Sequence, residues 1–116
     1  MKPRHPLRGL TAAEVRAGLR DDSLLLVDVR EPAEFALERI AGAVLCPLSS
    51  FDPWALPTDP ARPVVFHCGS GKRSAVAVAM CQQAGVTAHT HLKGGIIAWK
   101  AAGMAVLTAE LAVARR

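Results

Sequence analysis

The residue of this sequence that is best placed to do chemistry is Cys68, which ends the mainly apolar stretch of residues 63–68. A stretch of this length and composition predicts a β-strand that is buried on both faces of a parallel sheet. In open α/β sheets, ligands bind at the carboxyl ends of the strands. The sequence therefore predicts that the Cys68 thiol lies at a ligand-binding edge, followed by a short loop of Gly69, Ser70, Gly71, Lys72 and Arg73.

The composition of this loop suits the binding of an anion. Its two glycines permit positive φ and leave no side chain between the backbone N–H groups and a guest, so several N–H groups can face one centre. A helix predicted over residues 73–84 adds about half a positive charge at its N-terminus. These groups, together with Lys72 and Arg73, would lower the pKa of the Cys68 thiol. We therefore expect Cys68 to be an exposed nucleophilic thiolate at the floor of a small, positively charged bowl.

The other two cysteines are predicted to be structural. Cys46 lies in a short apolar stretch and is interpreted as a core residue. Cys81 lies on the same predicted helix as Arg73, about 12 Å further along its axis. Because a disulfide needs Cα atoms within about 7 Å of each other, Cys81 cannot pair with Cys68 in the folded chain. With no CxxC pair, neither a disulfide framework nor a zinc site is indicated.

The histidines are not predicted to take part directly. His67 precedes Cys68, and side chains alternate along a strand, so its ring should point away from the thiolate. We interpret His67 as a core or supporting residue. His89 and His91 would share one face of a predicted strand, which suits a metal ion only if a third ligand converges on them. We expect no metal and no cofactor.

Apolar runs alternate along the chain with stretches that favour helices. This alternation predicts an α/β domain with a mainly parallel sheet. Thr11 and Glu14 form a capping-box pattern at the start of the first helix, and Gly85 and Gly103 are placed to end two later helices. The predicted strands span residues 24–29, 43–46, 63–68 and 87–92, and the predicted helices span residues 11–20, 31–37, 73–84 and 95–102.

The size and composition suit one globular domain. The chain has 116 residues, of which 51% are hydrophobic, which is enough for a core without disulfides. We expect a single domain over residues 1–116, with a core over residues 9–107 and a tail over residues 108–116 that could be helical. No signal-peptide pattern is visible, and no apolar run approaches the roughly 20 residues that span a bilayer. We expect a cytoplasmic protein without a membrane partner.

Charge is distributed unevenly along the chain. Residues 1–59 contain seven Lys and Arg against nine Asp and Glu, whereas residues 60–116 contain seven against one. The positive balance of the second half would favour a small anion near Cys68, and it is equally compatible with a role in solubility alone. Because the basic residues are mostly scattered singly and aromatic residues make up only 4% of the chain, a nucleic-acid partner is not expected.

Three motifs, in this order and at this spacing, resemble those of a rhodanese domain. They are DVREPAEFALERIAGA over residues 28–43, CGSGKRS over residues 68–74 and LKGGIIAWKAAGMAV over residues 92–106. The resemblance covers nearly the whole chain. It implies a rhodanese-like fold, in which a mainly parallel sheet of about five strands carries helices on both faces.

The resemblance also implies an activity, that of a thiosulfate sulfurtransferase. Cys68 would take a sulfane sulfur from a small anionic donor such as thiosulfate, hold it as a persulfide within the loop of residues 69–73, and pass it to cyanide, a thiol or a partner protein. Asp28 and Arg30 would support the loop from below, and Trp99 would lie in the core. The chain departs from the family pattern at Glu38-Arg39, where Gly-His is usual, and at Ala105, where Pro is usual. These departures lie away from the loop, so we expect them to alter packing or partner preference.

Two alternative functions remain open. A phosphatase or arsenate reductase also uses a cysteine in a loop that ends in arginine, but its loop runs Cys-x5-Arg. Here only four residues separate Cys68 from Arg73, so the bowl suits a single sulfur atom better than a tetrahedral oxyanion. The other alternative is a rhodanese-like binding or regulatory module without activity. Such modules usually lack the cysteine, which this chain keeps.

Overall fold

The computed structural model describes residues 6–109 of the chain. Within this range seven β-strands, four α-helices and two short 3₁₀ turns follow one another, with helices inserted between most of the strands. The elements are, in chain order, β1 (Arg8–Leu10), α1 (Ala12–Arg20), β2 (Leu25–Asp28), α2 (Pro32–Leu37), β3 (Glu38–Arg39), β4 (Val44–Leu45), the 3₁₀ turns Leu48–Ser50 and Pro53–Ala55, β5 (Val64–His67), α3 (Lys72–Ala84), β6 (Thr90–Leu92), α4 (Gly95–Ala101) and β7 (Leu107–Thr108).

Five of the strands form one parallel sheet in the order β1-β6-β5-β2-β4. The centre of the sheet is β5, which pairs with β2 on one side and β6 on the other. Parallel strands place all their carboxyl ends at the same edge. Cys68, which follows β5, and Asp28, which ends β2, therefore lie at one edge of the sheet. The predicted α/β class and parallel sheet are confirmed.

Alternate residues of the central strands pack into two separate hydrophobic cores, one on each face of the sheet. Leu25 and Val27 of β2 pack with Ala77, Val78 and Cys81 of α3. On the opposite face, Leu26 packs with residues of α1 and α4, among them Val15, Ile96 and Trp99. Because both faces are covered, β2 is buried along its whole length, which explains why Leu25, Leu26 and Val27 are all apolar instead of alternating with polar residues. The expectation of helices on both faces is confirmed.

The helix ends follow the local sequence signals. Thr11 and Glu14 make the reciprocal hydrogen bonds of a capping box at the start of α1. At the other end of α3, Gly85 adopts a left-handed φ of 79°, which a residue with a Cβ adopts only at a cost. Helix α3 begins at Lys72, one residue before the predicted start.

Three strands were not predicted from the sequence. One is β1, which pairs with β6 at the edge of the main sheet. The other two, β3 and β7, form a separate antiparallel pair that joins Glu38 and Arg39 to the end of the described chain. All three have two or three residues, too few to show a pattern. The strand predicted over residues 87–92 is also shorter than expected, beginning at Thr90.

The proposed helical tail lies almost entirely outside the described residues, which end at residue 109. Within residues 6–109, no helix has both the length and the apolar character needed to cross a bilayer. The departure from the family pattern at Glu38-Arg39 coincides with β3. There the Glu38 side chain pairs with Lys100 of α4 at 2.6 Å, so the pair connects β3 to α4.

Candidate active site

Cys68 lies at the carboxyl end of β5, as predicted, but its side chain is buried. Only 1% of the residue is exposed, and it is part of the core cluster that also contains Phe66 and Ala77. The expectation of an exposed thiolate is therefore wrong for this conformation. The reason is that the loop curls back over the sulfur, so that the backbone of Gly71 and the side chain of Ser74 contact it directly.

The loop does supply the predicted amide donors. The backbone N–H of Gly71 donates to the Cys68 sulfur at 3.1 Å, and the Ser74 hydroxyl oxygen lies 3.7 Å from the same sulfur. Burial by itself would raise the pKa of the thiol. The backbone and hydroxyl of Ser74 and the backbone N–H groups of Gly71 and Ser70 outweigh it, so that the pKa of Cys68 is lowered. The site is thus built to hold a negatively charged sulfur away from water.

Gly71 makes this arrangement possible through its backbone conformation. Its φ is 104°, in the left-handed region that residues with a Cβ avoid. This turn directs the Gly71 N–H inward and starts α3 at the next residue. The amides at the start of α3 therefore face the sulfur, where the partial positive charge of the helix end favours an anion.

The two predicted cations of the loop differ in their surroundings. Lys72 is exposed. Arg73 instead makes two hydrogen bonds to the carboxylate of Glu34 in α2, at 2.6 and 2.9 Å. Hydrogen bonding from Arg73 is the main reason why the pKa of Glu34 falls to about 2, so Glu34 is ionised at neutral pH. The positive charge of the bowl is therefore smaller than the sequence predicted.

Beside the site, Asp28 and Arg30 form a buried ion pair. The guanidinium of Arg30 donates to both carboxylate oxygens of Asp28 at 2.9 to 3.1 Å and to the backbone carbonyl of Glu38 at 2.7 Å. In the sheet, Asp28 stands opposite His67, whose Nε2 lies 3.3 Å from the carboxylate. Burial would raise the pKa of Asp28, but hydrogen bonds from His67 and Arg30 lower it to about 2.

His67 connects this pair to the backbone of the nucleophile. Its Nδ1 lies 3.2 Å from the carbonyl oxygen of Cys68, and the ring is completely buried. As predicted from strand alternation, the ring makes its polar contacts with Asp28 and the backbone, on the side away from the sulfur.

The N-terminus of α4 holds the start of the loop from another side. The backbone N–H groups of Ile96 and Ile97 donate to the carbonyl oxygens of Cys68 and Gly69, at 2.9 and 3.1 Å. A Cβ at Gly95 would lie 2.5 Å from the Cys68 carbonyl oxygen and closer still to that of Gly69. The glycine at this position therefore lets α4 approach the loop closely enough for these hydrogen bonds.

Four residues at or beside the site were not identified from the sequence. Ser74 belongs to the CGSGKRS motif, which was the one available signal for it. Glu34, His91 and Gly95 are brought to the site from other elements, and their roles depend on strand order and helix packing. His91 in particular was considered only as a metal ligand, whereas its Nδ1 lies 2.7 Å from the Ser74 hydroxyl oxygen.

The remaining cysteines are buried to different degrees. Cys81 is completely buried in the core, where burial raises the pKa of its thiol to about 11. Cys46 is half-buried and packs against the same core cluster, and burial raises its pKa as well. All three cysteines are free. Of the three, only Cys68 has a lowered thiol pKa.

A cysteine at the carboxyl end of a central parallel strand, enclosed by a short loop that leads into a helix, defines a class of small α/β domains. Residues 11–102 match the family described as rhodanese-like domain. Because the match spans most of the sequence, the chain belongs to the rhodanese-like domain family.

Relatives of the chain include sulfurtransferases. A sulfurtransferase of Allochromatium vinosum is 40% identical over 91 residues, which cover 77% of this chain and 83% of the relative. An uncharacterized protein of Synechocystis is 44% identical over 85 residues, which cover 73% of this chain. That alignment spans only 48% of the Synechocystis protein, so the chain corresponds to about half of its length.

Solved structures agree with the fold. The thiosulfate sulfurtransferase of Pseudomonas aeruginosa superposes with a TM-score of 0.79 at 25% sequence identity. The match covers 89% of this chain and 20% of the Pseudomonas chain. The rhodanese-like fold inferred from the sequence motifs is thus confirmed.

Proposed function

We propose that this protein is a sulfurtransferase in which Cys68 carries the transferred sulfur as a persulfide. The observation that carries the proposal is the environment of the Cys68 sulfur, which receives the Gly71 N–H at 3.1 Å within a ring of backbone donors that lowers its pKa. A sulfur atom in such a ring is stabilised as an anion, either as the thiolate or as the persulfide. The sulfurtransferase from Allochromatium vinosum supports the same activity.

The reaction would proceed in two steps. The Cys68 thiolate attacks the outer sulfur of the donor, for which we propose thiosulfate; the S–S bond of thiosulfate breaks, and sulfite leaves with the bonding electron pair. An acceptor such as cyanide, a thiol or a partner protein then attacks the outer sulfur of the persulfide, and the Cys68 thiolate is released. Two successive displacements on one nucleophile predict ping-pong kinetics.

The other predicted site residues would act on the donor or on the loop. We propose that Gly69, Ser70, Gly71, Lys72 and Arg73 form the donor-binding loop. The buried pair of Asp28 and Arg30 would support that loop from below, through His67. Because Cys68 as a whole residue is only 1% exposed, the loop must move aside before a donor can reach its sulfur. We place the reaction in the cytoplasm, since three free thiols suit a reducing compartment.

The decisive test is direct detection of the sulfur on Cys68. The protein, reduced and then treated with thiosulfate, should gain the mass of one sulfur atom in intact-protein mass spectrometry, and cyanide should remove that mass and yield thiocyanate. Cys68→Ser should abolish the gain. Cys46→Ser is the matched control and should leave it intact, because the Cys46 thiol has a raised pKa and lacks the amide donors.

One observation favours a second candidate function. The burial of Cys68 is compatible with a rhodanese-like module that binds a partner without transferring sulfur. The same experiment separates the two functions, since a binding module would take up no sulfur from thiosulfate or from any other sulfane donor. Cys68-dependent hydrolysis of p-nitrophenyl phosphate would instead point to a phosphatase and would overturn the proposal.

A further inference from the structure

The Ser74 hydroxyl lies between the Cys68 sulfur and the ring of His91. Its oxygen is 3.7 Å from the sulfur and 2.7 Å from Nδ1 of His91. A hydroxyl has a single hydrogen to donate, so Ser74 cannot donate to both neighbours at once. When the His91 nitrogen accepts the hydroxyl hydrogen, the sulfur therefore receives none from Ser74.

The Ser74 hydroxyl has a third neighbour, the carbonyl oxygen of Gly71. This carbonyl does not need the hydroxyl as its hydrogen-bond donor. The Ser74 hydroxyl oxygen lies 3.1 Å from this carbonyl, but the carbonyl also accepts the helical hydrogen bond from Ala75 at 3.2 Å. The hydroxyl hydrogen can consequently turn from Gly71 toward the sulfur without leaving a buried carbonyl unpaired.

Within residues 6–109, the strand partners of His91 are uncharged. In the sheet His91 lies between Gly9 of β1 and Phe66 of β5, and neither of these carries a titratable side chain. On the side of α3, the Ser74 hydroxyl contacts the His91 ring. The titratable thiol of Cys68 lies on the far side of that hydroxyl. Burial lowers the pKa of His91, so the ring is neutral at neutral pH and carries one proton on one of its two nitrogens.

We propose that His91 is a positioning residue that directs the Ser74 hydroxyl toward the Cys68 sulfur. When Nδ1 carries the ring proton, it donates to the Ser74 oxygen, and the hydroxyl hydrogen is free to point at the sulfur. When Nδ1 lacks the proton, it accepts the hydroxyl hydrogen, and the sulfur loses this donor. The inference rests on the proposed function, because a stabilised sulfur anion matters for sulfur transfer.

The protons balance along the chain of three groups. In the thiol state, the Cys68 S–H donates to the Ser74 oxygen, and the Ser74 hydroxyl donates to Nδ1. On ionisation the thiol proton passes to the Ser74 oxygen, the hydroxyl proton passes to Nδ1, and the proton on Nε2 leaves to water. The net result is the loss of one proton. Of the three residues His91 is the most exposed, at 8% against 1% for Cys68 and 0% for Ser74.

The test compares two substitutions of nearly equal size. The amide of His91→Asn can place an N–H donor near the position of Nδ1, whereas the longer His91→Gln places its amide near Nε2. The readout is the rate of alkylation of Cys68 by iodoacetamide as a function of pH, resolved for each cysteine by peptide mass spectrometry. Circular dichroism melting curves establish that each variant is folded, and His89→Leu is the matched control on the same segment.

We expect His91→Gln and Ser74→Ala each to raise the pH midpoint of alkylation, slowing the reaction at neutral pH by about tenfold while the rate at high pH is kept. His91→Asn and His89→Leu should keep the wild-type midpoint. The double variant His91→Gln/Ser74→Ala should be no slower than either single one, since both remove the same hydrogen bond. Equal midpoints for His91→Asn and His91→Gln, or additive effects in the double variant, would overturn the proposal.

A measurement on the unaltered protein covers the case in which the variants do not fold. Nitrogen-15 chemical shifts of the histidine rings distinguish the two tautomers. The proton of His91 should move to Nδ1 as pH rises through the Cys68 alkylation midpoint, and an unchanged tautomer would overturn the proposal. A failure of the proposed function is distinct from this outcome. Midpoints could shift as expected in a protein that takes up no sulfur, and sulfur could load onto a protein whose midpoints do not depend on His91.

Discussion

At the scale of single residues, the pairing of Arg73 with Glu34 changes the role that charge can have at the site. Arg73 was expected to attract an anionic donor, yet both carboxylate oxygens of Glu34 already occupy its guanidinium. Hydrogen bonding to Glu34 in turn raises the pKa of Arg73. Both side chains therefore stay ionised at any physiological pH. A donor that uses Arg73 must therefore compete with Glu34.

Removing this competition should strengthen the binding of an anionic donor. We expect Glu34→Gln to lower the KM for thiosulfate by roughly two- to fivefold, the range for a half-exposed ion pair. Steady-state kinetics with cyanide as acceptor measure this. Glu38→Gln is the matched control, because its carboxylate pairs with Lys100 instead. A raised KM in Glu34→Gln would show that Glu34 holds Arg73 in place for the donor.

For single residues, the sequence predicts some features of the site and misses others. Cys68 and the donor character of the loop follow from local features, namely an apolar strand, two glycines and a helix start. Burial of the sulfur does not follow, because it depends on how far the loop curls over it. His91 is seventeen positions from Ser74, and the packing of α3 against β6 brings the two residues together.

At the scale of elements, the site depends on the packing of α4 against the loop. The backbone N–H groups of Ile96 and Ile97 in α4 donate to the carbonyl oxygens of Cys68 and Gly69. Helix α4 and α3 lie on opposite faces of the sheet, so the loop is held between elements from both layers. The sequence predicted both helices within two residues of their observed ends but gave no indication of this contact.

The contact between α4 and the loop can be tested by comparing Gly95→Ala with Gly103→Ala, which differ in whether the added Cβ meets the loop. Gly95 and Gly103 both have positive φ, of 62° and 79°, so an alanine at either site costs about 1 kcal/mol in backbone strain. At Gly103 nothing lies within 4 Å of the added Cβ, whereas at Gly95 the Cβ would overlap the carbonyl oxygens of Cys68 and Gly69.

We therefore expect Gly95→Ala to lower the free energy of unfolding by at least about 2 kcal/mol more than Gly103→Ala, since relieving the overlap means losing loop hydrogen bonds. Urea unfolding followed by circular dichroism gives the comparison. Gly95→Ala should also slow Cys68 alkylation at neutral pH. Equal losses of stability in the two variants would mean that the close approach of α4 does not hold the loop in place.

At the scale of the whole molecule, the stability of the domain is linked to pH through a buried carboxylate. Asp28 has a pKa of about 2 in the folded chain, against 3.8 for an aspartate in an unfolded chain. Between these two values the unfolded chain binds more protons than the folded one, so stability falls as pH falls through this window. The contribution of the ionised Asp28 is complete above the unfolded value and is lost as pH approaches the folded one.

The variant Asp28→Asn should reveal this contribution. At neutral pH it leaves the buried Arg30 without its charged partner, so we expect a loss of about 3–5 kcal/mol in the free energy of unfolding. The difference from the wild type should shrink as pH falls below 4, as measured by urea unfolding at a series of pH values. Asp22→Asn, at a carboxylate that is 85% exposed, is the control and should have little effect. A difference that is constant with pH would contradict the linkage.

Most of the molecule-wide architecture could be predicted, because long apolar runs and helix caps are local signals. The alternation of strands and helices indicated a parallel sheet, and two cores follow from central strands that carry apolar residues at consecutive positions. The small antiparallel pair of β3 and β7 could not be predicted, since it joins Glu38–Arg39 to a segment near the end of the chain through two residues on each side.

The hydrogen bonds from Ile96 and Ile97 to the carbonyl oxygens of Cys68 and Gly69 have a consequence for how the protein is made. During synthesis Cys68 leaves the ribosome well before the residues that fix its loop. Until those residues emerge and dock, the nascent chain carries a cysteine of ordinary reactivity. The environment that lowers the pKa of the Cys68 thiol is therefore complete only when α4 has been made and has docked against the loop.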